Sequence, residues 1–268
     1  DESRGRDTQC GIFAATKAMA RFGVTYSYIY NVYSESEEFI NGFEAFIRTA
    51  SVVKSLKGLK IAQIGQRPGS FMSVISSEAA LVEKFGIEVI PLGVGTIIRR
   101  MEDVKKEKEN EIKEYIRQLK SKVDTSRMSE EKVVSMAAFK LALKESVSAL
   151  DCRGAALECW SAFPPFLGFT PCFVIGEMTD EGYPISCETD VNGIMIEAAA
   201  LGDSACFFAD LTIRHPENDN AELLWHCGPF PYSLRDPDSK PYLLEGRGRF
   251  PLKKGGITIA RLDDLNGN

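Results

Sequence analysis

The segment from residue 59 to residue 93 constrains the fold of this chain more than any other part. It contains two short apolar stretches, "LKIAQIG" at 59–65 and "IEVIPLG" at 87–93, on either side of the segment "SSEAALVEKFG". Each apolar stretch has the length and residue types of a buried strand, and the segment between them has the apolar spacing of a helix. A strand, a helix and a strand in this order predict a β-α-β unit with parallel strands and a right-handed crossover.

The rest of the chain continues this alternation of helix and strand. Residues 161–184 are rich in turn-forming residues, and we expect turns there. From residue 215 onward we expect turns and short strands. Apolar spacing and capping residues predict helices at 11–22, 35–56, 76–86, 102–123, 129–150 and 193–202, and further strands at 24–30, 154–160, 185–190 and 205–212.

This pattern predicts an α/β fold with two parts. Residues 1–203 form a Rossmann-like domain with a parallel sheet, and residues 204–268 begin a β-rich C-terminal domain. The last residues, "ITIARLDDLNGN", have the pattern of a strand and a turn with no partner strand after them, and the first residues, "DESRGRDTQ", are polar. We therefore expect the chain to be an internal piece of a longer protein, with its C-terminal domain cut short.

Charge and hydropathy exclude two classes of partner. The net charge is −6 and the pI is about 5.2, whereas a nucleic-acid-binding surface requires a basic stripe. No apolar run approaches the roughly 20 residues that a membrane helix needs. The seven cysteines are odd in number and contain no C-x-x-C pair, which is typical of reduced thiols in a cytoplasmic protein and argues against a cysteine zinc site. We predict a cytoplasmic protein that binds neither nucleic acid nor membrane.

Two carboxylates and an imidazole are the candidates for a metal site. Glu188 ends "PISCE", Asp210 ends "ACFFAD" and His226 ends "ELLWH", so each closes an apolar run. In parallel α/β sheets, ligands bind outside the carboxyl ends of the strands, and buried carboxylates are costly unless they are paired or bound to a metal. A carboxylate-rich set with one imidazole suits Mn²⁺ or Mg²⁺ better than zinc. Together the three side chains predict a divalent metal site.

Each of these residues also has an ordinary structural alternative. Glu188 could accept hydrogen bonds from the N-terminus of the following helix, and Asp210 could cap the following turn. A single histidine on an apolar strand is commonly a core histidine whose nitrogens are hydrogen-bonded. For any one residue alone, the alternative is favoured. Three polar groups at the ends of three strands are harder to explain by packing, and this favours the metal site.

Seven motifs, in a fixed order along the chain, carry a family resemblance. They are "LKIAQIGQRPGSF", "GAALECW", "PPFLGFTPC", "MTDEGYPISCE", "CETDVNG", "FFADLT" and "WHCG". In this order and spacing they resemble the L-fucose isomerase and L-arabinose isomerase family, in particular its fucose-isomerase-like members. The resemblance covers nearly the whole chain and depends on the set of motifs, since no single motif is specific.

The resemblance implies a manganese-dependent aldose–ketose isomerase for a deoxy sugar or pentose of the L-fucose or L-arabinose type, with Mg²⁺ or Co²⁺ as alternative metals. The first metal-ligating carboxylate of the family falls on Glu188, and the second falls on Asp210, 22 residues later. The second position is Asp in fucose isomerases, and a histidine ligand of the arabinose enzymes falls on His226. The two carboxylates are also implied as the catalytic groups that move protons between C2, C1 and the sugar oxygens through an enediolate.

Four weaker candidates accompany this set. Trp160, at the end of a predicted strand, could stack on a sugar or be a core aromatic. Glu158 lies where relatives often carry a glutamine that touches the sugar, so it is either a substrate contact or a structural residue. Asp190 could support the metal ligands by accepting a hydrogen bond, and Arg67 could reach an anionic group or be solvated.

The resemblance further implies a homo-oligomer, a trimer or hexamer, that binds a small-molecule sugar. It also implies two features that we expect to be missing: a further histidine ligand near the C-terminus, since none follows His226, and the N-terminal domain that helps cover a neighbouring subunit's active site. Two other functions stay open. One is a non-catalytic carbohydrate-binding or regulatory relative, which the acidic Glu158 favours. The other is a metal-dependent epimerase that acts through the same enediolate.

Overall fold

A computed structural model gives the structure of residues 8–29, 32–200 and 205–263. The chain divides into two compact units, an N-terminal unit of residues 1–51 and a main unit of residues 52–268. The domain boundary predicted between residues 203 and 204 lies outside the described residues, and it stays a prediction.

Helices and strands alternate through the first part of the main unit, and short strands follow. The helices are α1 (Thr8–Arg21), α2 (Glu37–Leu56), α3 (Glu78–Phe85), α4 (Val94–Glu107), α5 (Glu109–Lys122), α6 (Glu130–Ala149), α7 (Pro164–Leu167), α8 (Cys172–Asp180) and α9 (Val191–Ala200). The strands are β1 (Lys60–Ile64), β2 (Glu88–Leu92), β3 (Gly154–Leu157), β4 (Ile185–Ser186), β5 (Asp210–Arg214), β6 (Glu222–Trp225), β7 (Tyr242–Leu244) and β8 (Arg247–Arg249).

A parallel sheet with the strand order β2-β1-β3-β4 forms the centre of the main unit. β1 and β2 pair in parallel with Ile61 opposite Val89, and α3 connects them, so the predicted β-α-β unit is confirmed. β1 also pairs in parallel with β3, and β3 with β4. The predicted α/β fold with a Rossmann-like parallel sheet is therefore confirmed.

Helices cover both faces of this sheet. Successive residues of β1 contribute to different clusters: Ala62 and Ile64 pack into a large core with α4, α5, α6 and α8, whereas Ile61 packs into a smaller core with α3 and α9. This is the period-two alternation of a strand that is buried on both faces. Because all four strands run the same way, the loops that follow β1, β3 and β4 meet at one edge of the sheet.

The helix predicted at 102–123 is instead two helices that are separated at Lys108. The backbone of Lys108 leaves the helical region, with φ −124° and ψ 38°, and its ammonium group bonds to Glu111 and Glu145. Glu145 belongs to α6 and also binds Arg100 of α4. This tertiary ion cluster holds the break, and no proline or glycine marks it in the sequence.

Helix α8 lies in the segment where only turns were predicted. It contains the sequence "CFVIGEMTD", of which seven residues are buried, so it has no polar face and no amphipathic period. Residues 24–29, predicted as part of a strand, have no regular structure. Ser129 caps α6, because its hydroxyl accepts a hydrogen bond from the Lys132 amide at 3.3 Å.

Two antiparallel hairpins, β5–β6 and β7–β8, follow α9. The strand predicted at 205–212 begins only at Asp210, because residues 205–209 are irregular. The turn between β7 and β8 packs on the start of α8, where the Phe173 amide donates to the Gly246 carbonyl at 2.9 Å. None of the helices in the described ranges is long and apolar enough to cross a membrane.

We expect the large core to be the main source of stability. Phe139 of α6 is fully buried, and its ring lies edge-on to Phe163 with 5.2 Å between the ring centroids. Phe139→Ala should lower the free energy of unfolding by about 3–5 kcal/mol, because it leaves a cavity that the sheet cannot fill. Phe166→Ala, at a side chain that is 62% exposed, is the matched control and should cost less than about 1 kcal/mol in urea denaturation. Equal losses in the two variants would contradict this assignment of the core.

Candidate active site

Glu188 lies in a tight loop between β4 and α9. Glu188 and Thr189 both have left-handed backbones, with φ of 63° and 58°. Left-handed conformations cost about 1–2 kcal/mol for each residue that carries a Cβ, so the surroundings must hold this loop in place. The Thr189 amide donates to the Leu157 carbonyl at 3.1 Å, and the Thr189 hydroxyl donates to the Gln66 carbonyl at 3.0 Å. The ends of β1 and β3 thus anchor the loop that carries Glu188.

Asp210 and His226 come together through the β5–β6 hairpin. Asp210 pairs with Trp225, so His226 directly follows the residue opposite Asp210. Asp210 is exposed and starts its strand, which corrects the prediction that it ends one. His226 is buried, and its ring lies against Phe208 with 5.6 Å between the centroids.

The nitrogens of the His226 ring have different surroundings. Nδ1 lies 2.8 Å from the Cys227 amide nitrogen and 3.3 Å from Cys227 Sγ. Nε2 is buried and has no hydrogen-bond partner among the described residues. An orphaned buried nitrogen is unusual in a structural histidine, which normally satisfies both ring nitrogens. This observation weighs against the core-histidine alternative.

The Asp210 charge acts on both of the other predicted ligands. Burial raises the pKa of Glu188 to about 7, and the carboxylates of Asp210 and Asp190 add to the shift. Burial lowers the pKa of His226, and the Asp210 carboxylate opposes that shift. Within the described ranges, however, no three His, Cys, Asp or Glu side chains are arranged to hold a metal ion. The three residues are near one another, and the metal site stays a prediction.

Asp190 fills the capping role that was an alternative for Glu188. Its Oδ1 accepts a hydrogen bond from the Gly193 amide at 2.9 Å, in the first turn of α9. Its Oδ2 lies 3.7 Å from Arg261 Nη1, and the Asp190 side chain is almost fully buried. Asp190, which lies two residues after Glu188, therefore fixes the start of α9.

Glu158 connects the loops that follow β1 and β3. Its Oε2 accepts from the Gln66 amide at 2.7 Å, and its Oε1 accepts from the Ser161 hydroxyl at 2.8 Å. Gly65, at φ 84°, is required beside it, because a Cβ there would lie 2.4 Å from Glu158 Oε2. Both carboxylate oxygens thus have protein partners, and the predicted sugar contact of Glu158 stays a prediction.

Trp160 and Arg67 lie in the same pair of loops. Trp160 is 48% exposed and its ring is tilted against Phe71 at 5.9 Å between centroids, so it is at the surface and not in the core. Arg67 Nη1 donates to the carbonyls of Pro68 and Gly69, at 3.2 and 3.0 Å, and so braces its own loop. A sugar contact through Trp160 stays a prediction.

Sequence reasoning missed a group of thiols beside these residues. Cys172 Sγ and Cys227 Sγ lie 3.4 Å apart, and a hydrogen bond from Cys227 lowers the pKa of Cys172 to about 7. A hydrogen bond to Cys159 raises the pKa of Cys187. These cysteines are far apart in sequence, so spacing could not reveal the pairs.

Arg247 is a second group that the sequence did not indicate. Its positive charge acts on the thiols of Cys172 and Cys227, next to His226. Its Nε is buried without a hydrogen-bond partner, and the side chain forms no ion pair within the described part of the chain. A guanidinium whose Nε has no protein partner can donate a hydrogen bond to an anionic group.

Two comparisons with known proteins bear on the family of this chain. Residues 1–57 match the family model described as "Fucose/sulfoquinovose isomerase, N-terminal domain". These residues are therefore similar to the domain that we expected to be missing, and the idea that the chain is a fragment stays a prediction.

Curated relatives match most of the chain. The sulfoquinovose isomerase of Priestia megaterium (strain ATCC 12872 / QMB1551) is 28% identical over 226 residues, which is 81% of this chain and 50% of the relative. That of Alkalicoccus urumqiensis is 27% identical over 81% of this chain and 51% of its own length. That of Clostridium sp. (strain MSTE9) is 24% identical over 93% and 55%. The chain spans about half the length of these relatives, and the resemblance to the fucose isomerase family is confirmed.

Glu197, in α9, makes the stability of this region depend on pH. Burial raises its pKa to about 8, the Asp190 charge adds to the shift, and its Oε2 has no partner among the described residues. In the unfolded chain, Glu197 has a pKa of 4.5 and loses its proton above that pH, whereas in the folded state it keeps the proton up to about pH 8. The free energy of unfolding therefore falls as the pH rises from about 4.5 to about 8.

Glu197→Gln should remove this dependence. We expect the variant to match the wild type near pH 5 and to exceed its stability at pH 8, by up to about 1.4 kcal/mol for each pH unit. Urea denaturation at pH 5, 6.5 and 8 measures the difference, with Glu83→Gln on exposed α3 as the control. A wild-type free energy of unfolding that rises between pH 5 and pH 8 would contradict the assignment. So would a Glu197→Gln variant that is less stable than the wild type at pH 8.

Proposed function

We propose that this relative of the fucose isomerase family is a metal-dependent aldose–ketose isomerase that acts through an enediolate. The observation that carries the proposal is the position of Asp210, whose charge acts on both Glu188 and His226. Two carboxylates and an imidazole near one another are the kinds of group that proton transfer at a sugar carbon requires. The curated relatives, all named as isomerases, support the same reaction class.

For the cation we propose Mn²⁺, with Mg²⁺ or Co²⁺ as alternatives. Glu188, Asp210 and His226 would hold it, because the two acids repel each other and the His226 Nε2 lacks a partner. The Cys227 amide donates to Nδ1 at 2.8 Å, so a neutral ring carries its proton on Nε2, and the ring would give up this contact for Nε2 to bind the cation. When bound, the cation would supply electrostatic stabilisation of the charge that develops on the sugar oxygens.

The two carboxylates divide the proton transfers between them. One takes the proton from C2 of the aldose and returns it to C1, and the other moves protons between the O1 and O2 atoms. The assignment of Glu188 and Asp210 to these two tasks is left open. The anchored loop of Glu188 suits either task, because a fixed carboxylate loses little orientation entropy in the reaction.

For the substrate we propose a hexose with an anionic group, of the sulfoquinovose type. Sulfoquinovose is a glucose derivative with a sulfonate on C6, so its recognition needs a cation away from the reacting C1 and C2 carbons. Arg247 provides a guanidinium with a buried, unpartnered Nε, next to Cys227 and His226. Neutral deoxy sugars and pentoses of the L-fucose and L-arabinose type are the alternative class of substrate.

One observation favours the second candidate, a non-catalytic carbohydrate-binding relative. Within the described residues, no three potential ligands are arranged as a formed metal site. The acidic Glu158, which also favoured this candidate, now has a structural account, since it bridges Gln66 and Ser161. We retain the isomerase as the proposal, together with a cytoplasmic location and assembly as a homo-oligomer, either a trimer or a hexamer.

Glu188→Gln should lower ketose formation by about 100- to 10,000-fold while the protein stays folded, because the amide cannot accept the carbon-bound proton. The assay follows sulfoquinovose, L-fucose and L-arabinose with added Mn²⁺, in D₂O, with circular dichroism as the check on folding. Glu222→Gln, at an exposed residue of β6, is the control and should keep full turnover. Deuterium incorporation with an epimeric aldose as product would instead indicate an epimerase.

Two results would count against the isomerase. Full turnover by Glu188→Gln would remove Glu188 from its proposed role. Sugar binding by the wild type in calorimetry, unchanged by a chelator and without any conversion, would select the non-catalytic candidate.

Arg247→Gln should raise the KM for sulfoquinovose about tenfold or more, because a charge-assisted hydrogen bond to the sulfonate is lost. The KM for 6-deoxyglucose, which lacks the sulfonate, should stay within twofold of the wild-type value. Arg153→Gln, at an exposed residue before β3 and so at the opposite edge of the sheet, is the matched control. Equal effects on the charged and the neutral sugar would contradict an anion-binding role.

A further inference from the structure

The thiols of Cys172 and Cys227 form a contact that the proposed reaction does not use. Cys172 is the first residue of α8 and Cys227 follows β6, and their Sγ atoms are hydrogen-bonded at 3.4 Å. A disulfide has an S–S distance near 2.05 Å, so the two atoms need to approach by only about 1.4 Å. The two sulfurs are therefore within a short movement of bonding distance.

The surroundings favour reaction at this pair over the other thiols. The hydrogen bond from Cys227 and the positive charge of Arg247 both favour the reactive thiolate form of Cys172. Cys227 is partly exposed, so a small oxidant can reach the pair, although Cys172 itself is buried. In contrast, the buried thiol of Cys152 contacts the Leu150 carbonyl and has no neighbouring thiol among the described residues.

We propose that Cys172 and Cys227 are a reversible oxidation site, at which a hydroperoxide converts the two thiols into a disulfide. The Cys172 thiolate attacks one peroxide oxygen, the O–O bond breaks, and the departing oxygen takes a proton and leaves as water or an alcohol. Cys227 then attacks the sulfenic sulfur of Cys172, the S–S bond forms, and a second water leaves. Two thiols lose two electrons and two protons in total, and the hydroperoxide is reduced.

Formation of the bond changes the surroundings of His226. The Cys227 amide lies 2.8 Å from His226 Nδ1 and Cys227 Sγ lies 3.3 Å from it, so both groups help orient the ring. Movement of Sγ toward Cys172 removes one of these two contacts. Oxidation therefore disables the site through the orientation of His226, a consequence that rests on the proposed function.

Peptide mapping under non-reducing conditions tests the bond itself. The whole chain is treated with a few equivalents of hydrogen peroxide, and the peptides are identified by mass spectrometry. We expect a linked Cys172–Cys227 peptide, two hydrogens lighter than the separate peptides, that disappears after dithiothreitol. Cys172→Ser and Cys227→Ser should each abolish it, and Cys152→Ser should leave it unchanged.

Several outcomes would overturn the proposal. Both thiols could remain reduced under peroxide, a Cys159–Cys187 bond could form in preference, or the two cysteines could be oxidised to sulfonic acid without forming a bond. The experiment measures the mass of a peptide, so its result does not depend on whether the protein is an isomerase.

Turnover measures the effect on the site separately. Peroxide should lower the turnover of the wild type at least tenfold, dithiothreitol should restore it, and Cys172→Ser should respond less than twofold to peroxide. A disulfide that forms without loss of turnover would overturn the coupling to His226 and leave the oxidation site standing. No turnover in the reduced wild type would contradict the proposed function alone.

Discussion

The hydrogen bonds around Thr189 are the interactions on which the rest of the site depends. Two successive residues with left-handed backbones are unfavourable on their own, yet Glu188 requires both of them to leave β4 and reach its position. The Leu157 and Gln66 carbonyls hold the loop in that form. Glu158 in turn ties the Gln66 amide to the end of β3. The parallel sheet thus provides the anchor, because the ends of its strands meet at one edge.

Three acidic side chains in this region are wholly or partly buried. Glu188, Asp190 and Glu197 all have raised pKa values, and burial is the largest cause for each of them. Buried acids cost stability, and a fold keeps them mainly where they have partners, as Asp190 does, or where chemistry needs them. The apolar core around Phe139 supplies the stability that makes this arrangement tolerable. Orphaned atoms of His226 and Arg247 lie in the same region, so polar groups without partners concentrate where the proposed chemistry takes place.

Elements with a clear apolar period were predicted correctly, and those without one were missed. The strands at 60–64 and 88–92 and the helix at 37–56 follow directly from their patterns. Helix α8 is buried on all sides, so its sequence has no amphipathic period, and the break at Lys108 depends on Glu145 of another helix. In the site, Glu188, Asp210 and His226 stood out because polar residues close apolar runs. The thiol pair and Arg247 did not, since only the fold brings them together.

By itself, the sequence determined the β-α-β order and the parallel sheet, because these depend on local period and on chain order, and it supplied the three polar residues of the proposed site. Tertiary structure alone decided that Asp190 caps α9, that Glu158 bridges two loops, and that Cys172 meets Cys227 across 55 residues of sequence. The physical reason is the range of the interactions. Propensity and amphipathic period act within a few turns of chain, whereas hydrogen bonds and charges act between whichever groups packing brings within a few ångströms.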